Sequence, residues 1–150
     1  VQIELKEVQP QPVLYIRTRA SQEKLPQVIG ESYKKIAEYM IGLGTPPMKA
    51  PYTAYYKLDM QDLDAEMGFP VSKALPENSD IKAREIEAGK AVCALYKGAY
   101  SEMEVPYGQI LKWIEENGYQ LAGVSYEYYH NSPQDVPASE LLTEIVIPVK

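Results

Sequence analysis

Three tyrosines surround one carboxylate in the stretch 123-GVSYEYYHNSP-133, where Glu127 stands between Tyr126 and Tyr128 and is followed by Tyr129. An acid in aromatic surroundings resists ionising unless a cation or hydrogen-bond donors compensate, so it serves as a cation receptor or as a proton-transfer group. Aromatic faces attract cations too, each by roughly 0.5–2 kcal/mol. Tyrosine walls around Glu127 would therefore suit an amphipathic organic cation. The competing reading has Glu127 facing solvent or pairing with a surface Lys or Arg. If the stretch is a strand, Ser125, Glu127 and Tyr129 share one face, and Val124, Tyr126 and Tyr128 share the other.

Other residues with chemical potential offer weaker patterns. His130, the sole histidine, precedes Asn131-Ser132-Pro133 at a strand-loop junction, which reads as a surface position before it reads as a catalytic base or haem ligand. Asp59, Asp62, Asp64 and Glu66 lack the glycine and ligand spacing of a calcium loop, so they read as a solvated loop. Glu144 falls on the strand face opposite Thr143, Ile145 and Ile147, either as a second pocket acid or as an exposed strand residue. Cys93 lies within the apolar run Ala91 to Tyr96 and reads as a small core residue. There is no Ser-His-Asp set, P-loop or G-x-G-x-x-G, and neither metal nor cofactor is expected.

Composition narrows the class. The chain has 150 residues and a net charge of −6, which supplies no general attraction for phosphate backbones or anionic membranes. Direct nucleic-acid binding is not expected. No run of 18 apolar residues occurs, and Val1 to Pro10 carries charges where a signal peptide would be apolar, so the expectation is a cytoplasmic protein off the membrane. Thirteen tyrosines stand against one Phe and one Trp. A core wanting only bulk would use Phe, because a buried Tyr hydroxyl needs a partner, so this bias favours a lined, wet cavity.

The elements that would position these residues come in two similar sets. Pro12 to Arg19 is β-rich. Glu23 to Leu43 carries a helical stripe at Ile29, Tyr33, Ile36, Ala37 and Met40, stopped by Gly42 and Gly44. Tyr52 to Leu58 reads as a strand, the acids as a loop, and Gly68 to Lys73 as a short strand. Ile81 to Glu87 and Lys90 to Tyr96 read as two strands, matching Gln2 to Val8 before Pro12. A second helix spans Val105 to Asn117, with Tyr107, Ile110, Leu111 and Ile114 on one face and Gly118 as its stop. Gly123 to Tyr129 and Leu141 to Val149 are the last strands.

This order describes a single α+β domain over 1–150, made of duplicated β-α-β-β units with pseudo-repeats near 1–75 and 80–150. The units would form an antiparallel sheet with two helices on one face and a central cleft. A shift of 73 places Tyr129 on Tyr56 and Glu127 on Ala54, so the two halves would present Tyr56 and Tyr129 equivalently, with Tyr52 near Tyr56. Only the second half would add an acid.

Four motifs in order, Y-K-G-A-Y at 96–100, W-I-E-E-N-G-Y at 113–119, E-Y-Y at 127–129 and T-E-I-V-I-P-V at 143–149, resemble the GyrI-like effector-binding domains, related to the AraC-type effector-binding and SOUL proteins. That resemblance implies the SHS2-like form of the duplicated unit and an aromatic-lined cleft. Glu127 falls on the family's functional acid, Tyr129 on the tyrosine that follows it, and Tyr100 on the tyrosine of a G-P-Y turn in which Ala99 replaces proline. Trp113 falls on the helix tryptophan near the cleft. Ligand-contacting residues would be Tyr52, Tyr56, Tyr96, Tyr100, Trp113, Glu127 and Tyr129.

The expected function is binding of hydrophobic or cationic aromatic molecules, sensing or sequestering them in a tyrosine-lined cleft, as in multidrug-responsive transcription regulation. The alternatives are a hydrolase of cyclopropane-bearing electrophiles with Glu127 as its catalytic residue, and a gyrase-inhibitory interaction module. Aromatic richness and an unfilled sheet face leave room for a homodimer.

Overall fold

The structure is a computed structural model that describes residues 1–57 and 62–150. Asp59, and Leu58 at the end of the expected third strand, lie outside the described residues. In chain order the elements are β1 (Ile3–Val8), β2 (Gln11–Ala20), α1 (Leu25–Gly42), β3 (Tyr52–Lys57), β4 (Leu63–Pro70), β5 (Lys82–Ile86), β6 (Gly89–Lys97), α2 (Glu104–Glu116), β7 (Ser125–Tyr129) and β8 (Leu142–Pro148). The fold is α+β, and every pairing described below is antiparallel.

Two compact units emerge, one of Pro10–Glu87 and one of Val1–Gln9 with Ala88–Lys150. In the first, β2 pairs with both β4 and β5, and β4 pairs with β3. In the second, β6 pairs with β1 and β8, and β8 pairs with β7. The order β5-β2-β4-β3 thus repeats as β1-β6-β8-β7, the signature of a duplicated β-α-β-β unit. Sequence neighbours β1 and β2 do not form a hairpin. Neither Gln9-Pro10 nor Glu87-Ala88 supplies the positive-φ residues of a two-residue hairpin turn, so each leading strand pairs elsewhere.

Each helix covers one face of its own strands. Leu25, Ile36 and Met40 point inward from α1 onto Leu14, Ile16, Leu63, Met67 and Phe69. Helix α1 ends where Gly44 takes a left-handed φ of 76°, a conformation that costs glycine little. Ile110 and Ile114 of α2 pack on Val92, Ala94, Ile145 and Ile147, and Gly118 (φ 77°) closes that helix. Leu111 falls off this stripe and stays exposed.

One expectation is corrected. The acids at 62, 64 and 66 do not form a solvated loop before a strand at Gly68; β4 begins at Leu63 and contains Asp64 and Glu66. Leu63, Ala65, Met67 and Phe69 are all buried against α1, a period of two that the intervening acids masked.

Gly68 sits where β4 passes beneath the Tyr52 ring. A Cβ there would approach the Leu14 carbonyl oxygen to 2.6 Å and the Tyr52 ring to 2.8 Å. Neither neighbour can swing away, because one is backbone and the other is a fully buried ring. Gly68→Ala should therefore lower unfolding free energy by about 1–3 kcal/mol, as overpacking does, measured by urea denaturation; unchanged stability would show that the strands slide apart freely.

Candidate functional site: two carboxylates held by tyrosines

Register places the chemistry in the second unit. Opposite residues of an antiparallel pair share a face, and Glu127 lies opposite Ile145 while Tyr129 lies opposite Thr143. Ile145 is in the core under α2, so Glu127 and Tyr129 point to the helix side. Tyr126 and Tyr128 point to the other side, where their rings stack at 6.3 Å. Strand alternation alone thus separates the aromatics of the stretch.

Glu127 has two hydroxyl donors. Tyr107, from the first turns of α2, donates to Oε2, and Tyr129 donates to Oε1 at 2.8 Å. Ser125 Oγ lies 3.2 Å from the Tyr107 hydroxyl, extending the chain of polar atoms. Among the described residues no Lys, Arg or His side chain pairs with Glu127. Burial pushes its pKa above the usual 4.5, and the two tyrosine hydroxyls oppose that shift without cancelling it. The Tyr100 ring meets Tyr129 edge-on at 5.7 Å and remains 40% exposed, so it forms the solvent-facing wall beside the acid. Burial and then the nearby Glu127 charge raise the Tyr100 pKa, which keeps that phenol neutral.

Tyr100 opens a short 3-10 turn, Tyr100–Glu102, that leads into α2. The preceding Ala99 adopts φ −68° and ψ 145°. Proline would hold the same φ, so alanine in its place leaves the turn intact. Tyr96 contributes to this turn from below: its hydroxyl donates to the Ala99 carbonyl at 2.9 Å, and its ring is buried in the core. Trp113 is engaged elsewhere on α2, stacked nearly parallel on Tyr119 at 6.2 Å. Of the residues expected at the ligand, the structure brings Glu127, Tyr129 and Tyr100 together, with Tyr96 as support, while the contact given for Trp113 is its stack on Tyr119.

Tyr52 and Tyr56 belong to a second acid. Glu66 on β4 is 1% exposed and accepts hydrogen bonds from Tyr52 Oη at 2.5 Å and Tyr56 Oη at 2.8 Å. Arg84 of β5 reaches the same carboxylate through Nη2 at 2.8 Å and Nε at 3.1 Å, and it also donates to Tyr56 Oη at 3.0 Å. Arg17 lies 3.8 Å over the Tyr56 ring and grips Asp64 with two bonds of 3.0 and 2.9 Å. The Asp64 bonds hold Arg17 firmly charged. The first unit thus has a tyrosine-bound acid of its own, placed on β4 and not at Ala54, the position that the shift of 73 matches to Glu127.

The proposed equivalence of Tyr56 and Tyr129 also fails. Tyr129 faces its unit's helix, whereas Tyr56, with Glu66 and Arg17, lies on the strand face away from α1, because Tyr55 is the residue packed toward that helix. The register before the β-bulge already decides this: Tyr55 lies opposite the core-facing Ala65 as Tyr129 lies opposite Thr143, so the matching offset is 74, and an offset of 73 puts each side chain on the wrong face. Residue patterning gives no sign of Arg84 as a partner, although the alternation from Leu63 to Phe69 puts Glu66 inside a strand; Tyr107 is visible on the helical stripe three residues before Ile110.

The remaining candidates take quiet places. His130 is exposed, with Nε2 3.4 Å from Glu144. Glu144 lies on the face of Tyr128, away from Glu127. Cys93 is buried, and burial lifts its thiol to about 11, too high for a nucleophile. Among the described residues no cluster suits a metal ion, and no helix is long and apolar enough to cross a membrane.

The duplicated α+β fold, with its hydroxyl-bound acid beside an accessible tyrosine, is of a class that includes small-molecule-binding domains. The chain belongs to the GyrI-like family: the GyrI-like small molecule binding domain matches it over residues 1–150. Its fold is similar to the EcmrR C-terminal domain (TM-score 0.78, 25% identity, 99% of this chain and 97% of that one). It is similar as well to EcmrR in its DNA complex (TM-score 0.86, 24% identity, 99% of this chain), where it spans 57% of the EcmrR chain. A third similar structure is SAV2435 bound to tetraphenylphosphonium (TM-score 0.70, 12% identity, 100% of this chain and 94% of that one). No curated protein sequence matches the chain.

The two acids predict opposite behaviour. Arg84→Ala leaves Glu66 buried without its cation and should cost about 3 kcal/mol of stability, read from urea unfolding; a loss under about 1 kcal/mol would mean that the two tyrosines suffice. For Glu127, whose folded pKa lies above its unfolded value, the folded state holds the proton more tightly. Its contribution is thus fully present below pH 4.5 and is lost as pH rises through the raised folded value. Relative to wild type, Glu127→Gln should gain stability as pH is raised from about 4 to about 7 in parallel melts. A constant difference across that range would place Glu127 in water.

Proposed function

We propose that the chain binds amphipathic, cationic aromatic molecules over Glu127 and thereby senses or sequesters them. The observation that carries this reading is the Glu127 carboxylate, which is held by two tyrosine hydroxyls yet paired with no cationic side chain among the described residues. Hydroxyls orient the acid and partly offset its desolvation; only a positive charge offsets the rest. An incoming organic cation brings that charge, and the Tyr100 and Tyr129 rings supply faces on which its apolar body can rest. SAV2435, a structural neighbour with tetraphenylphosphonium bound, supports the ligand class. The likeness to EcmrR, which is seen in complex with DNA, supports the sensing form of the role.

The raised pKa of Glu127 also suits a general base, which keeps in view a hydrolase acting on cyclopropane-bearing electrophiles. Product analysis on each bound compound separates the two roles, since a sensor returns its ligand intact.

Calorimetric titration with tetraphenylphosphonium tests the proposal. Glu127→Gln should weaken binding by about 1–2 kcal/mol, close to tenfold. Wild-type affinity should also fall as pH is lowered through the Glu127 pKa, because protonation removes the attracting charge. Equal affinity in wild type and Glu127→Gln at neutral pH would overturn the assignment.

A further inference from the structure

We propose that the cavity at the C-terminal end of α1 is a second ligand site, and that it takes compact aromatic carboxylates. It encloses about 200 Å³, with Met40, Met48, Pro70 and Leu75 among its apolar walls and Lys49 and Lys73 at its rim. All of these residues lie in the Pro10–Glu87 unit, whereas Glu127 belongs to the other unit. The site is therefore independent of the function proposed above.

Both walls are anchored by backbone hydrogen bonds. On one side the Thr45 N–H donates to the Met40 carbonyl at 2.9 Å just after the left-handed Gly44, so the Pro46–Met48 segment folds back beside the helix end. On the other, the Val71 N–H donates to the Pro12 carbonyl at 2.9 Å, and Gln11 Nε2 donates to the Val71 carbonyl at 2.8 Å. A concavity with fixed walls costs little to organise around a ligand. Three proline rings, Pro46, Pro47 and Pro70, stiffen the same segments.

Size, lining and charge define the occupant. At roughly 30 Å³ per water the cavity corresponds to about seven waters, and it falls short of the roughly 300 Å³ at which drug-sized pockets begin. One substituted ring fits; an extended peptide does not. Met48 is 87% exposed at its mouth, the most exposed of the large apolar side chains among the described residues, and its flexible thioether can close over an aromatic edge. Lys49 and Lys73 each stand at the rim, neither pairs with an acid among the described residues, and no acidic side chain lines the cavity. An apolar slot with two ammonium groups at its rim favours a ring that ends in a carboxylate, the reverse of the charge preference at Glu127.

The test uses the 150-residue chain carrying [13C-methyl]methionine, titrated with 4-isopropylbenzoate and with its uncharged counterpart 4-isopropylbenzamide. Saturable shifts are expected at Met40 and Met48 and not at Met103, which is buried in the other unit. The amide should bind at least tenfold more weakly than the acid, and the Lys49→Glu/Lys73→Glu double variant should lose the acid by a similar factor. These lysines are exposed, so the variant is expected to fold, which its unchanged Met67 and Met103 signals would verify. Absence of saturable shifts at Met40 and Met48 would overturn the proposal. Equal binding of acid and amide, or displacement of the acid by tetraphenylphosphonium, would overturn it as well.

Discussion

A carboxylate withdrawn from water must be compensated where it lies, and much of the polar architecture of this protein follows from that requirement. Among the described residues each unit holds such an acid on a strand, surrounded by tyrosine hydroxyls. Glu66 has Tyr52 and Tyr56, and Glu127 has Tyr107 and Tyr129. The excess of tyrosine over phenylalanine follows in part: at these four positions the ring fills space while the hydroxyl meets a charge, and phenylalanine could do only the first.

The two acids differ in what completes them. Arg84 closes the charge balance at Glu66, making that network a rigid internal support that also fixes Tyr56 between two guanidinium groups. At Glu127 the hydroxyls do the holding and no cation pairs with it among the described residues, so burial keeps its pKa raised. On the proposed function, the cost of that burial is what a cationic ligand would relieve. The duplicated scaffold thus treats its two acids differently, one closed by an arginine and the other held by hydroxyls.

The elements themselves were largely legible along the chain. The helical stripes from Ile29 to Met40 and from Tyr107 to Ile114, with their glycine stops, located both helices, because apolar residues recurring every 3.6 positions line up on one side only when the backbone is helical. Alternation also assigned Ser125, Glu127 and Tyr129 to one face of β7. The acids before Gly68 misled for a physical reason: a strand that buries Leu63, Ala65, Met67 and Phe69 against a helix can carry acids between them when arginines wait on the opposite face, and composition reports only the acids. The one-residue difference between offsets of 73 and 74 likewise has no signature in residue types, because both align tyrosine with tyrosine, yet it decides which face is matched with which.

By itself the amino-acid sequence determined the α+β class, the repeated order of elements, and the presence of an acid among tyrosines at Glu127, since these depend on local period and on chemistry within a few residues. Only the tertiary structure decided which hydroxyls reach that acid, that Arg84 reaches Glu66 and no cation among the described residues reaches Glu127, and that β1 pairs with β6 and β5 with β2. Those facts rest on contacts between residues distant in the chain, such as Arg84 and Glu66, whose encounter is set by strand pairing and register. No local pattern encodes a register that a single bulge can shift.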